Sequence, residues 1–334
     1  MLAIKVPLEE AEPIKRKLLS GGLLDTSFSP AKDSKFIYFP VREKFDTKHA
    51  FVRKKLEPRP EKKSFRESAG EKLTKEELEL LKTSMDVVGT IAILEVPREL
   101  EKRSRVIAEA LLKSNRQVKT VVRKGKHGGV FRTQELIHLA GENTKEAVYR
   151  ENGVVLKVDV EKVYFSPRLS NERLRIMRLV KKGEEVLVMF SGCAPYVCVI
   201  SKNTEAKRVD GVEINPEGHR YALENLKSNR LKNAEVFCGD VKEVVPGLGR
   251  KYDRIIMPLP RTADEYLGVA LGCAKKGATI HFYDFELESE KEKAADKARK
   301  ACKEADRNCK IIGIVKTGQP GPRSYRYCVD FRVD

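Results

Sequence analysis

Val186-Leu187-Val188-Met189-Phe190-Ser191-Gly192-Cys193-Ala194-Pro195-Tyr196 is an apolar run that breaks abruptly into small residues. Such a run bounded by a turn reads as a buried strand, and the Ser-Gly-Cys-Ala-Pro stretch lets backbone approach a nucleotide-like ligand. Downstream, Val209-Asp210-Gly211-Val212-Glu213-Ile214-Asn215-Pro216 repeats the form and ends on an acid. With these two, the apolar strand candidates at 185–189, 208–213, 234–237, 254–257, 278–282 and 310–315 alternate with helical stretches. That alternation predicts an α/β module over 163–334 with a doubly wound, mainly parallel sheet. Ligands on such sheets sit beyond the carboxyl ends of the strands. Three features stand there: Glu213, suited to the hydroxyls of a ribose; Cys238-Gly239-Asp240, with an acid for an adenine amino group; and Met257-Pro258-Leu259-Pro260, a loop stiffened by two prolines. Each alone is a weak signal, since the pattern GxGxxG is absent and a strand-end acid is as readily a solvated one. Together, at successive strand ends, they reinforce one another.

Upstream, the rhythm differs. Leu2-Ala3-Ile4-Lys5-Val6 reads as a strand, Glu9 to Leu19 as a helix stopped by Gly21-Gly22, and Phe36 to Val41 as a second strand, which makes a small α/β domain over 1–57. Residues 58–73 are charged and poor in apolar side chains, and read as a linker. An α+β domain over 74–162 follows. It has a helix from Thr74 to Lys82 with a capping box to Glu77, a strand Val87–Val96 interrupted by Gly89, and a helix Glu99–Lys113. Strands at 118–122, 129–138 and 154–160 complete it. Near the end, Glu286 to Lys303 reads as a charge-laced solvated helix, and Gly318 to Tyr325 as a turn between two final strands, where Arg323, Tyr325 and Arg326 could touch an RNA backbone.

Composition narrows the class of partner. The chain has 334 residues, with 66 Lys and Arg against 49 Asp and Glu, a formal net charge of +17. An excess of that size points to a polyanion, because phosphate neutralisation dominates nucleic-acid affinity. A charge-rich thermostable surface is the bland alternative, but ion-pair networks call for balanced signs. No apolar run approaches the roughly 20 residues of a membrane span, and the first residues do not resemble a secretory signal, so a cytoplasmic location is expected. The seven cysteines form no CxxC pair and signal neither a zinc site nor a disulfide framework; their neighbours are those of small core residues.

Val163-Tyr164-Phe165-Ser166-Pro167-Arg168-Leu169-Ser170-Asn171-Glu172-Arg173 makes the reading specific. The 163–334 module resembles the Rossmann-like class I methyltransferases. That block, with Glu213 to Pro216 and Met257 to Pro260, is similar to the archaeal and eukaryotic-type tRNA (guanine(37)-N(1))-methyltransferase family. The likeness extends through Asp86 to Pro97 and Gly129 to Thr133, and to the first domain in outline. It implies S-adenosyl-L-methionine as cofactor, tRNA (anticodon stem-loop and body) as partner, no membrane, no metal and a monomer. It also implies Glu172 as the base that takes the proton from guanine ring nitrogen 1 and Arg132 as the catalytic arginine. Arg173, Glu213, Ile214, Asp240, Val241 and Pro258 would hold the cofactor.

The chemistry agrees with those roles. Guanine carries a proton on ring nitrogen 1, so a positioned carboxylate must remove it, while an arginine can stabilise charge on the neighbouring carbonyl oxygen. Without the resemblance, Glu172 would read as a first-turn acid after a Ser170 cap, favoured by the helix dipole, and Arg132 as a solvated strand residue beside a basic turn, Arg123 to His127, that could equally clamp phosphates. Two positions depart from the family pattern: Pro258 stands where Asn is frequent, so any contact there passes through the Pro258 carbonyl, and Ala194 replaces a second glycine. Two alternatives remain at this stage. One is transfer of the cofactor's aminocarboxypropyl arm in wybutosine synthesis, and the other is a non-enzymatic RNA-binding module.

Overall fold

The computed structural model describes residues 1–59, 63–128, 133–259, 262–321 and 323–334. The chain divides into two compact units, Met1–Ser64 and Phe65–Asp334. In the first, β1 (Leu2–Pro7), α1 (Ala11–Ser20), β2 (Ala31–Lys32), β3 (Phe36–Pro40) and β4 (Phe51–Arg53) form a sheet of order β2-β3-β1-β4. Ile4, Val6, Leu18 and Phe39 are its core.

The second unit opens with α2 (Phe65–Gly70), inside the stretch expected to be linker. Its Ala69 is buried against Leu73, Leu81 and Leu111, so a few apolar side chains suffice where tertiary packing supplies the rest. Next come α3 (Lys75–Leu80), which carries the Thr74–Glu77 capping box, β5 (Met85–Val88) and β6 (Ile91–Leu94). The expected single strand Val87–Val96 is thus a tight antiparallel pair that turns at Gly89, whose φ of +59° a side chain would strain. α4 (Ser104–Ser114), β7 (Thr120–Gly128) and β8 (Thr133–Gly141) complete a sheet of order β5-β6-β7-β8. An antiparallel pair, β9 (Glu146–Glu151) and β10 (Val154–Asp159), leads into α5 (Ser170–Leu179); sequence reading missed β9.

The remaining elements are β11 (Glu185–Met189), α6 (Pro195–Asn203), β12 (Arg208–Glu213), α7 (Pro216–Ser228), β13 (Ala234–Cys238), α8 (Val241–Gly247), β14 (Tyr252–Met257), α9 (Leu267–Cys273), β15 (Ala274–Leu287), α10 (Glu292–Glu304), β16 (Cys309–Gly321) and β17 (Ser324–Val333). Their sheet runs β13-β12-β11-β14-β15-β17-β16, parallel through β15 and antiparallel beyond it. This is the expected doubly wound, Rossmann-like sheet. Its strand order reverses between β11 and β14, which opens a crevice at their carboxyl ends. α10 starts later than expected, because β15 continues to Leu287, and it is not wholly solvated: Ala294, Ala295, Ala298 and Cys302 are buried in the sheet core.

Edge strand β10 is docked by side chains. Asn225 on α7 and Asn229, the residue that caps its end, act as peptide surrogates. Asn225 Oδ1 accepts Lys157 N–H (2.7 Å) while its Nδ2 donates to the carbonyls of Lys157 and Cys193, both at 2.9 Å. Asn229 treats Val155 likewise, at 2.9 and 2.7 Å. Asn225→Ala orphans one buried donor and two carbonyls, so at about 1 kcal/mol each the expected loss is about 3 kcal/mol. Urea unfolding checks this, and a loss below about 1 kcal/mol would contradict the docking role.

Candidate active site

Four successive strand ends line one cavity of about 260 Å³: Phe190 to Gly192 after β11, Glu213 to Asn215 after β12, Gly239 to Val241 after β13, and Pro258 with Leu259 after β14. Tyr164, Phe165, Leu169 and Arg173 close it from the segment leading into α5. Of the proposed cofactor residues, all six (Arg173, Glu213, Ile214, Asp240, Val241 and Pro258) stand on its wall.

The loop after β11 is folded tightly. Phe190, Gly192 and Ala194 all have positive φ (56°, 56° and 63°), so the departure at Ala194 is accommodated by placing an alanine in left-handed backbone. That costs roughly 1–2 kcal/mol, and burial of the Ala194 methyl in the α6 core offsets part of it. The shape is held by Glu213, whose carboxylate accepts Gly192 N–H (2.6 Å) and Asn215 N–H (2.8 Å). Burial pushes the Glu213 carboxyl above its ordinary value, and those backbone donors oppose the push.

A nucleoside-like cofactor fits this lining. Each Glu213 oxygen takes one backbone donor and has a second lone pair for a hydroxyl. Ile214 offers an apolar face that is 40% exposed. Ser191, also on the wall, keeps a buried hydroxyl with no hydrogen-bond partner among the described residues. Asp240 caps α8 through Lys242 N–H (2.8 Å). Leu259 N–H donates to Met257 O (2.8 Å), a three-residue turn centred on Pro258.

Arg173 lines the cavity but is only 1% exposed, and its guanidinium is committed to Glu151 (Nη2 at 2.7 Å) and to the Ser166 carbonyl. It therefore braces the wall. Glu172 is also buried, one residue away, and does not itself line the cavity. The helix begins without the expected Ser170 cap: a 3-10 turn (Pro167–Leu169) runs straight into α5, and Leu169 occupies the capping position. Glu172 instead accepts from Arg175 Nε and Nη2 (both 2.7 Å) and from the Tyr283 hydroxyl (2.5 Å). Tyr283 lies 3.2 Å from the hydroxyl of Tyr196, which lines the cavity. Arg132 falls outside the described residues.

Sequence reading missed Tyr164, Tyr196, Arg175, Tyr283, His281 and Asp330. The last two pair across β15 and β17, and His281 Nδ1 lies 2.6 Å from Asp330. Because Arg254 can only donate to His281 Nε2 (2.7 Å), the ring carries its proton on Nδ1. Burial, with the Arg254 and Arg175 charges, pushes His281 below its ordinary value although Asp330 pulls the other way. Burial alone would raise Asp330, but its bonds from His281 and Arg175 hold it well below the usual carboxylate range. Both folded values are depressed. Their stabilisation is therefore complete above the unfolded values, about 6.5 and 3.8, and is lost as pH falls through the folded ones. The urea midpoint is expected to decline below about pH 6.5 and again below about pH 4; a flat midpoint from pH 7.5 to 5 would contradict a neutral, buried His281. Cys328 joins this pair as a group of three metal-ligating side chains, yet the two arginines already fill the acceptors and repel a cation.

The buried cysteines 193, 198, 273, 302 and 328 are core residues as expected; Cys238 is exposed and Cys309 half-buried. No described helix is long and apolar enough to cross a membrane.

The geometry accords with what the chain is similar to. Residues 147–312 match the TRM5/TYW2 methyltransferase domain, 65–144 the TYW2 N-terminal domain, and 3–49 the tRNA methyltransferase 5 N-terminal domain. The tRNA (guanine(37)-N(1))-methyltransferase Trm5b of Pyrococcus abyssi is 38% identical over 337 residues, 99% of each chain. Its crystal structure aligns with a TM-score of 0.76 at 36% identity, covering 100% of this chain and 99% of that one. A complex of aTrm5 with tRNALeu is 33% identical, covers 100% of both chains and gives a TM-score of 0.73. Methanocaldococcus jannaschii Trm5 in complex with adenosine is 31% identical, with a TM-score of 0.67 and coverage of 100% and 99%. On its methyltransferase domain, its N-terminal domains and full-length likeness, the chain belongs to the TRM5/TYW2 methyltransferase family.

Proposed function

We propose that this protein methylates ring nitrogen 1 of guanine at position 37 of tRNA, with S-adenosylmethionine as methyl donor. The observation that carries the reading is the cavity at the β11–β14 crevice, walled on one side by a nucleoside cradle and on the other by the turn bearing Glu172. When bound, the cofactor supplies an electrophilic methyl group on its sulfonium. Glu213 receives the ribose hydroxyls, Ile214 covers the base, and Asp240 accepts the adenine amino group. Glu172 takes the proton from guanine nitrogen 1, leaving the nitrogen lone pair for the methyl group. Arg132 is assigned the charge that develops on the guanine carbonyl oxygen, on the family resemblance.

Residues 1–57 and the part ending at 162, which α2 carries back from 74 to Phe65, are given to tRNA and base recognition, and 163–334 to the cofactor. The enzyme acts as a metal-free cytoplasmic monomer. The +17 net charge supports a polyanionic substrate. Incubation with unmodified tRNA carrying guanine 37 and labelled S-adenosylmethionine should yield 1-methylguanosine, about 14 Da heavier than guanosine. A gain of about 101 Da would instead mean transfer of the aminocarboxypropyl arm, and an unchanged nucleoside would leave only RNA binding; either result overturns the proposal.

A further inference from the structure

A chain of ionic and polar side chains runs from Glu172 into the sheet. Arg175 holds Glu172 with one edge of its guanidinium and Asp330 with another, through Nη1 at 2.6 Å and Nη2 at 3.3 Å. Asp330 continues to His281, and His281 to Arg254. Arg254 then grips Glu184 with Nε (2.8 Å) and Nη2 (3.0 Å), and donates to the Leu179 carbonyl at 2.7 Å. Glu172 lies in the first turn of α5 and Leu179 is its last residue. One network crossing β14, β15 and β17 therefore fastens both ends of the same ten-residue helix. Glu172, Arg254, His281 and Asp330 are all buried. Burying such a chain is costly, and apolar side chains of similar volume would do as well or better for stability alone. Its presence at this place points to a task at the Glu172 end.

We infer that Arg175, anchored on Asp330 and through it on His281 and Arg254, is a positioning residue that holds the Glu172 carboxylate for methyl transfer. The inference rests on reading Glu172 as the base. Glu172 is faced by Tyr196 from α6, Tyr283 from β15, and Cys328 and Asp330 from β17, with Arg175 on its own helix; Arg173 turns away to Glu151. Among these Arg175 is the cation that donates to both Glu172 oxygens, so it fixes the torsion of the carboxylate as well as its charge. Losing such a clamp misplaces the base, and a displacement of the order of 1 Å costs roughly 10²-fold in rate.

The test measures single-turnover methyl transfer for the parent, Arg175→Gln, Arg175→Lys and Glu172→Gln, with circular dichroism and S-adenosylhomocysteine affinity as checks on folding. Arg175→Gln should lose roughly 10²-fold in rate with tRNA KM and S-adenosylhomocysteine affinity unchanged. Arg175→Lys keeps the charge without the two-point grip, so it should recover part of the rate. A purely structural role would lower stability while leaving the rate of the folded fraction unmoved, and that result overturns the inference. Should Arg175→Gln fail to fold, Arg175→Lys decides: parental kcat overturns it, and a reduced kcat with parental KM sustains it. If Glu172→Gln is itself fully active, the base assignment fails, which is distinct from an inactive Glu172→Gln beside a fully active Arg175→Gln.

Discussion

Replacing Glu172 by glutamine is expected to slow single-turnover methyl transfer by roughly 10³-fold, within the span typical of a lost general base, while tRNA and cofactor affinities stay near those of the parent. Gln keeps the volume of the side chain and can still accept from Tyr283, which donates to Glu172 Oε1 at 2.5 Å. What it cannot do is take a proton, and its amide hydrogens would face Arg175 donors that now satisfy both carboxylate oxygens. Glu172 is absent from the cavity wall, so cofactor binding does not depend on its contacts. Equal rates in variant and parent, measured by quench-flow on pre-formed complexes, would remove Glu172 from the chemistry.

Glu213→Ala should act on the other side of the site. Two hydrogen bonds from hydroxyls to a carboxylate are worth about 1.5–3 kcal/mol each, so S-adenosylhomocysteine should bind at least about 100-fold more weakly by calorimetry. The loss is compounded because Gly192 and Asn215 N–H groups, now held at 2.6 and 2.8 Å by that carboxylate, are released and the left-handed loop relaxes. At saturating cofactor the rate should recover much of the deficit, since binding and not proton removal has been damaged. An affinity within threefold of the parent would show that Glu213 shapes the loop without touching a ligand.

The sheet and its strand-end acids were legible because their signals are local. An apolar run, a small-residue turn and an acid lie within a few residues of one another, and the parallel order follows from the strand–helix alternation. Arg173 was legible as a wall residue only through the family block; its pairing with Glu151 was not, because the partner sits at the end of β9, a strand of only three uncharged residues between Glu146 and Arg150-Glu151. His281 and Asp330 were invisible for a related reason: they are far apart in sequence, and only the β15–β17 register sets them opposite each other. Asn225 and Asn229 carry no signal in the sequence, because nothing in a single chain of letters shows that an edge strand comes to meet them.

Cys193, in the loop behind the cradle, shares a core with Val163 and Tyr221 and with Val88, Ile91, Val122 and Leu136 from the β5–β8 sheet. A fragment cut at residue 163 would therefore bare an oily surface and lose the backing of its own loop. The same continuity makes ligand capture and the stiffness of β7 and β8, the strands that precede and follow Arg132 in sequence, two faces of one equilibrium. Filling the cradle should slow amide exchange in those strands, and loosening them should weaken the grip on the cofactor by the same free energy.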